Sequence, residues 1–434
     1  MTMIRTTNAN EKPVLWGLAD CNSFYCNAER IFRPDLRNKP VVVLSNNDGC
    51  LIALTPEAKA LGYKMGDVYY QLKDKLRRDG VTVFSSNYTL YGDISRRVMG
   101  TIGSLVPVDQ YSIDETFIPF GPAMAAQVDE VGWTLHGRVA QHIGMPIRVG
   151  IGATRTLAKL ANLWAKKISR VLYLELGSVK LEQVLEETPC VDVWGIGRRQ
   201  SAKLARIGVH HARQLRDLDL DKALGLLTVV GQRTVYELRG HQCIMDDVPV
   251  PRKTLVSSRS FGRRVRRKED LAEALAMHAT IAGERLRKEN IVASSIQVWA
   301  ETSRFMETPY RSISATEHFM IPTNYTAEII RAAHAALGRC YDPGDGWMKG
   351  GIMLCDLAAE GARQLTLLES CLSEMDQKRR ALMEAMDQAN DRYGRNTVRP
   401  AAMGNVSAFW HMRRELMSPC YTTRVNDARV AYCL

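Results

Sequence analysis

Apolar and polar positions along this chain follow two periods in turn, and the switches between them mark its elements. Val14-Leu15-Trp16-Gly17-Leu18-Ala19 is a short apolar run that reads as a buried strand ending at Asp20. Asn22 or Ser23 then caps a helix running toward Ile31. Pro40–Ser45 and Cys50–Leu54 are strand-like runs around Asn46-Asn47-Asp48-Gly49, which predicts a hairpin. Thr55-Pro56 opens a short helix with Gly62 as its stop. Residues from Tyr91 to Leu105 read as helix and lead into a β-rich run, Tyr111-Ser112-Ile113-Asp114-Glu115-Thr116-Phe117-Ile118. Pro146–Gly152 is a further strand, and the helix after it places Leu157, Leu160, Ala161, Trp164 and Ile168 along one stripe. Strands and helices alternate up to about residue 170, which predicts a mixed α/β unit with a sheet backed by helices.

The pattern then changes. Residues 171–245 read as short helices around Val193-Trp194-Gly195-Ile196-Gly197-Arg198-Arg199. Strands return between Pro251 and about Asp356, as in Ser294–Ala300, alternating with helices such as Asp270–Glu289. Residues 369–434 begin with a helix rich in Met and Gln and close on a Pro-, Thr- and Arg-rich end. The first thirteen residues lack periodicity and read as a loose tail. A chain of 434 residues exceeds one ordinary core and is expected to divide into several domains.

Charge narrows the partners. The chain carries 58 basic and 47 acidic residues, a net +11, which favours a polyanion. No apolar run approaches a membrane span and no signal peptide is apparent, so nucleic acid is preferred over a membrane surface and a cytoplasmic location is expected. Ten cysteines occur without a CxxC pair, as reduced thiols of a cytosolic protein would.

Asp20, Asp114 and Glu115 are the candidate chemistry. Placed on buried strands, unpaired carboxylates would each cost about 3–5 kcal/mol. Hard divalent cations are the natural compensation, and two Mg²⁺ ions in one carboxylate cluster serve phosphoryl transfer. Neighbouring strand residues point to opposite faces, so Asp114 and Glu115 can converge only near a strand end or a turn. Taken singly, the Asp-Glu pair also reads as a solvated turn and Asp20 as a helix cap. Together, in a basic chain, the three point to a nucleotidyl transferase.

Asp20-Cys-Asn-Ser-Phe-Tyr25, followed by Ser112-Ile-Asp-Glu115, resembles the two metal-binding motifs of Y-family translesion DNA polymerases, and within them the UmuC branch. The resemblance continues through Pro40–Cys50, Glu57–Gly62, Ser85–Tyr88, Thr156–Asn162, Val193–Arg199, Arg259–Gly262 and Ser418–Arg424, and covers nearly everything after residue 14. It implies a multi-domain α/β right hand: palm at 14–32 and 91–170, small fingers at 33–90, helical thumb at 171–245, α/β little finger at 251–362, and a clamp- and partner-binding region at 363–434. It further implies that Asp20, Asp114 and Glu115, with the carbonyl of Cys21, hold two Mg²⁺ ions, that Tyr25 is the steric gate beside Phe24 at the nucleotide, and that Lys59 and Lys166 face the triphosphate. Asn22 stands where many members carry Asp, which removes a fourth carboxylate and leaves it as a cap. Pro56 stands where relatives often carry Tyr, so that contact to the nucleotide is not carried over. Partners implied are primer-template DNA, dNTPs, a UmuD′-like dimer, the RecA filament of the SOS response, and the sliding clamp.

Three further segments fit a DNA enzyme. Gly195-Ile-Gly197 resembles a helix-hairpin-helix turn whose amides hold a DNA phosphate, with Arg198 and Arg199 beside it. From Arg252 to Lys268 there are eight basic residues and no acidic one, and Arg259, Arg263 and Arg264 lie on a strand-like stretch that would track a backbone. Gln364-Leu365-Thr-Leu367-Leu368 resembles a clamp-docking peptide with Leu368 in place of Phe. Two other readings compete: a non-catalytic DNA- and clamp-binding scaffold with a decayed site, and a palm-fold nucleotide cyclase. The presence of all three carboxylates argues against the first, and the basic groove against the second.

Overall fold

The strand and helix signals of the first 170 residues fold as one layered body. A computed structural model of the chain describes residues 14–244, 251–303, 309–344, 346–362, 373–404 and 412–428, the side chains of 373–376 excepted. Its contacts separate two units, Met1–Asp247 together with Glu415–Leu434, and Val248–Arg414.

The first unit begins with β1 (Leu15–Cys21) and α1 (Phe24–Ile31). Next come β2 (Val41–Leu44), β3 (Leu51–Leu54), α2 (Pro56–Ala60), α3 (Tyr69–Arg78) and β4 (Thr82–Ser85). The expected hairpin is present: β2 pairs antiparallel with β3 across the turn, and β4 adds parallel to β2 on its other edge. The chain continues with α4 (Tyr88–Gly103), β5 (Asp109–Gln110), β6 (Glu115–Phe120), α5 (Pro122–Ala125), α6 (Val128–Ile143), β7 (Ile147–Gly152), α7 (Arg155–Ala165) and β8 (Val171–Leu174). With β1 these strands form a sheet of order β5-β6-β1-β7-β8. Val171–Leu174, just past residue 170, joins this sheet in parallel with β7. A helical stretch follows, with α8 (Val179–Glu187), α9 (Arg198–Ala205), α10 (Ala212–Arg216) and α11 (Leu220–Leu238).

Alternation along β1 sorts this sheet into two faces. Leu15, Ala19 and Cys21 enter the main core with residues of α4 and α6. Trp16, Leu18 and Asp20 face the other way, opposite Gly152, Gly150 and Arg148 of β7. Helix α7 lies directly on that second face. A Cβ on Gly150 would come within 2.1 Å of the Asn162 backbone nitrogen, so only glycine permits this approach. The Asn162 amide then donates to the carbonyls of Leu18 (3.0 Å) and Arg148 (3.3 Å), fixing the register of helix on sheet. Leu157, Leu160, Ala161 and Trp164 are buried as their stripe predicts. Ile168 is exposed, because the helix ends at Ala165.

The second unit is built from β9 (Thr254–Val265), α12 (Lys268–Lys288), β10 (Ile291–Glu301), β11 (Ser312–Thr323), α13 (Thr326–Cys340), β12 (Trp347–Ala359) and α14 (Ser373–Tyr393). Its sheet is antiparallel, ordered β11-β10-β12-β9, and the buried faces of α12 and α13 form a core with it. Arg287 of α12 holds α14 through a two-pronged ion pair to Asp387 (2.7 and 2.9 Å).

The C-terminal region expected at 363–434 is not one body. Helix α14 belongs to the second unit, whereas residues from Glu415 onward belong to the first. The clamp-like residues Gln364, Leu365, Leu367 and Leu368 and the N-terminal tail lie outside the described residues.

Candidate active site

Strand register brings the carboxylates together. Asp20 pairs with Glu115 of β6 on one side and with Arg148 of β7 on the other, giving one cross-strand row, Glu115–Asp20–Arg148. Asp114 precedes β6 in a tight turn, where the amides of Tyr111 and Ser112 donate to the Glu115 carbonyl (3.2 and 3.1 Å). This is the strand end that convergence of adjacent residues requires. The Asp114 carbonyl also accepts from the Cys21 amide (2.9 Å), tying the turn to the end of β1.

Each carboxylate has found a polar partner. Arg148 pairs with Asp20, Lys159 of α7 reaches Glu115 at 2.5 Å, and the Ser112 hydroxyl donates to Asp114 at 2.7 Å. Among the described residues no three acidic, His or Cys side chains are gathered around a single point that could hold an ion. The carboxylates still feel one another: burial, and then Asp20 and Asp114, push the Glu115 carboxyl up against the opposing pull of Lys159. The buried Cys21 thiol is pushed well up by desolvation and by Asp20 and Asp114. Such an excess of negative potential from hard oxygen donors, offset here by an ammonium and a guanidinium, suits divalent cations. Sequence reasoning did not assign Arg148 or the Lys159 counterion role. A lone arginine between Ile147 and Val149 in an apolar strand was the available signal.

Lys159 and Lys166 line one cleft of about 220 Å³ with Asp20, Glu115, Asn162 and Trp194. Lys159 lies 4.4 Å from the centre of the Tyr111 ring and 5.3 Å from that of Trp194. The Lys166 ammonium is pulled down by burial and then by Arg148, with a further contribution from Lys59, so Lys59 of α2 and Lys166 share one field. Lys59 itself is exposed on α2.

Tyr25 sits in the first turn of α1, stacked on Tyr91 (4.7 Å between ring centres) and edge-on to Tyr88 (5.9 Å). Burial, Tyr88 and Asp114 push its hydroxyl pKa up, which places the ring in the field of the acidic turn. Phe24 is buried in the main core of the first unit, so its ring supports Tyr25 rather than presenting a surface to a ligand. The expected cap is also corrected. Ser23 holds the cap position at φ +43°, but its hydroxyl donates outward to Leu54 (2.8 Å), and Asn22 Oδ1 is buried with no hydrogen-bond partner among the described residues.

Gly195 occupies the hairpin turn with φ +87°, Ile196 is buried, and Gly197 starts α9 ahead of Arg198 and Arg199. In the second unit the arginines do not share one face. Arg259 has the parity of Leu255, Ser257 and Phe261, lies half-buried on the helix-covered side, and acts electrostatically on His278. Exposed Arg263 and half-buried Arg264 lie beyond it, where the pairing of β9 with β12 shifts register.

Known proteins carry the same architecture. The impB/mucB/samB family model matches residues 19–162, its C-terminal domain matches 252–367, and a domain of unknown function, DUF4113, matches 380–429. Protein UmuC of Salmonella typhimurium (strain LT2) is 39% identical over 420 residues, covering 95% of this chain and 99% of that protein. The chain belongs to the impB/mucB/samB family. Protein SamB of Salmonella typhimurium is 41% identical over 426 residues, covering 96% of this chain and 99% of that protein, and DNA polymerase IV of Desulfatibacillum aliphaticivorans is 25% identical over 393, covering 88% and 95%. A solved Y-family DNA polymerase chimera of Dbh and Dpo4 superimposes with a TM-score of 0.60 at 16% identity, covering 79% of this chain and 98% of that one. This impB/mucB/samB protein is thus a UmuC-type, Y-family DNA-directed DNA polymerase with a translesion role. No helix among its described residues is long and apolar enough to cross a membrane.

Proposed function

We propose that the chain is the catalytic subunit of an error-prone translesion polymerase that adds dNTPs to a primer 3′-hydroxyl opposite damaged template in the SOS response. The observation that carries this reading is the cross-strand row Glu115–Asp20–Arg148 with Asp114 in the adjoining turn, beside a stacked Tyr25. Asp20, Asp114, Glu115 and the Cys21 carbonyl would hold two Mg²⁺ ions. Those ions, when bound, supply Lewis acidity at the 3′-hydroxyl and charge neutralisation at the phosphates. Arg148 and Lys159 keep the carboxylates compensated until that charge arrives. Lys166 and Lys59 share a field and face the triphosphate as point charges. Tyr25 fills the space a ribose 2′-hydroxyl needs and so selects deoxynucleotides.

The thumb turn at Gly195 and Gly197, with Arg198 and Arg199, holds a template phosphate without reading bases. Arg263 and Arg264 add a sequence-tolerant grip from the little finger. The wider assembly is cytoplasmic and includes a UmuD′-like dimer, a RecA filament, and a sliding clamp docked through Gln364–Leu368. Primer extension across an abasic site, with Mg²⁺ and with and without those partners, tests the reading. The wild-type chain should extend and Asp114→Ala should not. Equal extension by Asp114→Ala would remove that residue from catalysis, and no extension by wild type under any condition would favour a scaffold.

A further inference from the structure

The segment matched by DUF4113 ends on the fingers and palm, not on its own helix. Leu416 joins the end of β4, its amide donating to the Ser85 hydroxyl (3.0 Å) and its carbonyl accepting from the Ser85 amide (3.0 Å). The Glu415 amide donates to Asp48 in the fingers turn (3.1 Å), and Tyr421 stacks on Phe32 after α1 (4.7 Å). Between these anchors Ser418, 4% exposed, enters the core below α1 and α4.

There it completes a relay. The Asn87 side-chain amide donates to Ser418 Oγ (3.1 Å), and Ser418 Oγ donates to Glu29 Oε1 (2.9 Å). The Tyr91 hydroxyl donates to the same Glu29 oxygen (2.7 Å), and the Tyr91 ring is the platform on which Tyr25 stacks. Glu29 is fully buried, and burial pushes its carboxyl up to about 7 despite both hydrogen bonds. Glu29 Oε2 is buried with no hydrogen-bond partner among the described residues, so the two bonds to Oε1 are what fix the carboxyl.

We propose that this C-terminal segment is an intramolecular clasp that positions the gate tyrosine: Ser418, through Glu29 and Tyr91, sets the placement of the Tyr25 ring and thereby the discrimination between deoxy- and ribonucleotides. The inference rests on the reading of Tyr25 as the sugar gate. Ser418, Glu29 and Tyr91 are positioning residues, and Asn87 orients Ser418 while capping α4 through the Leu90 amide (3.2 Å). A clasp that only stabilised the fold would leave sugar choice untouched. One that sets the ring changes how well a ribose is excluded while leaving the chemistry of a correct dNTP alone.

The test is single-nucleotide incorporation by the full chain, comparing kcat/KM for a dNTP and the matching rNTP. Tyr25→Ala is the control for the gate and should collapse the ratio. Ser418→Ala should lower it about three- to tenfold, the effect of one hydrogen bond, through a lower rNTP KM, with dNTP kcat within about twofold of wild type. Tyr91→Phe keeps the ring and removes the hydroxyl; it should lower the ratio similarly, and the double variant should fall no further, because both act through Glu29. Glu29→Gln, which retains an acceptor oxygen, should preserve the ratio. If Tyr25→Ala lowers discrimination but Ser418→Ala and Tyr91→Phe leave it at the wild-type value, the clasp proposal is overturned and the gate stands. An unchanged ratio in Tyr25→Ala overturns the gate reading itself, and the clasp with it. Should Ser418→Ala fail to fold, Tyr91→Phe decides alone.

Discussion

Lys159→Met separates the two roles assigned to the acidic row. In the wild type, Lys159 Nζ lies 2.5 Å from Glu115, with the two side chains 16% and 21% exposed. Breaking a fully buried pair by removing one partner costs about 3–5 kcal/mol, and partial solvent access brings this to about 2–3 kcal/mol here. Methionine keeps the unbranched stem that packs beside Tyr111 and Trp194, so the loss is mainly electrostatic. At about 2–4 °C per kcal/mol for a unit of this size, the melting midpoint in EDTA should fall by about 4–12 °C. Magnesium should then reverse much of the loss. A cation bound with a Kd of about 1 mM and supplied at 10 mM stabilises by about 1.4 kcal/mol. The variant should gain more than the wild type, because no ammonium competes for Glu115. Trp194, in contact with the lysine, makes intrinsic fluorescence a direct reporter of the melt. A Mg²⁺-induced shift equal in the two proteins, or absent from both, would refute the argument that these carboxylates form a cation site held in reserve by lysine.

Other outcomes follow from the same structure. Arg263→Ala with Arg264→Ala should reduce the slope of log K against log salt for DNA binding by about 1.4–1.8, and an unchanged slope would remove both from the DNA interface. Gly195→Ala should cost about 1 kcal/mol in melting experiments and weaken DNA binding, because φ is +87° and the new Cβ would meet Thr234 Oγ1 at 3.0 Å. His278 is buried beside Ser257, and desolvation, then Arg259, pull its imidazole down to about 3. The unfolded chain therefore binds its proton first. Between pH 6.5 and 5 the second unit should lose about 1.6 kcal/mol that His278→Gln does not lose, as chemical denaturation at the two pH values would show.

Much of this architecture was legible because local signals agreed with the tertiary ones. The apolar run ending at Asp20, the hairpin around Asn46–Gly49 and the amphipathic stripe of α7 each became the element their period required. Asp20, Asp114 and Glu115 stood out in the sequence as candidates, but the groups that compensate them did not. Arg148 and Lys159 meet the carboxylates through strand register and helix docking, and neither is a property of sequence spacing. Parity misled at Arg259, since alternation with Phe261 places it on the covered face while the shift in β9 pairing carries Arg263 and Arg264 beyond it. The end of α7 at Ala165 exposed Ile168 for a similar reason, because a periodic pattern does not announce where the helix stops. The destination of Ser418 was illegible altogether, as nothing local to it indicates contact with α1.

The link between Ser418 and Glu29 spans 389 positions of sequence. On a ribosome working at about 5–20 residues per second, the partner serine is made about 20–80 s after the glutamate. From the synthesis of Arg148 onward, the growing chain has its acidic row and its tyrosines but not the last bond that braces them. On the proposed reading of Tyr25 as the gate, chains clipped before Glu415 lack this brace and should be the least discriminating copies in the cell.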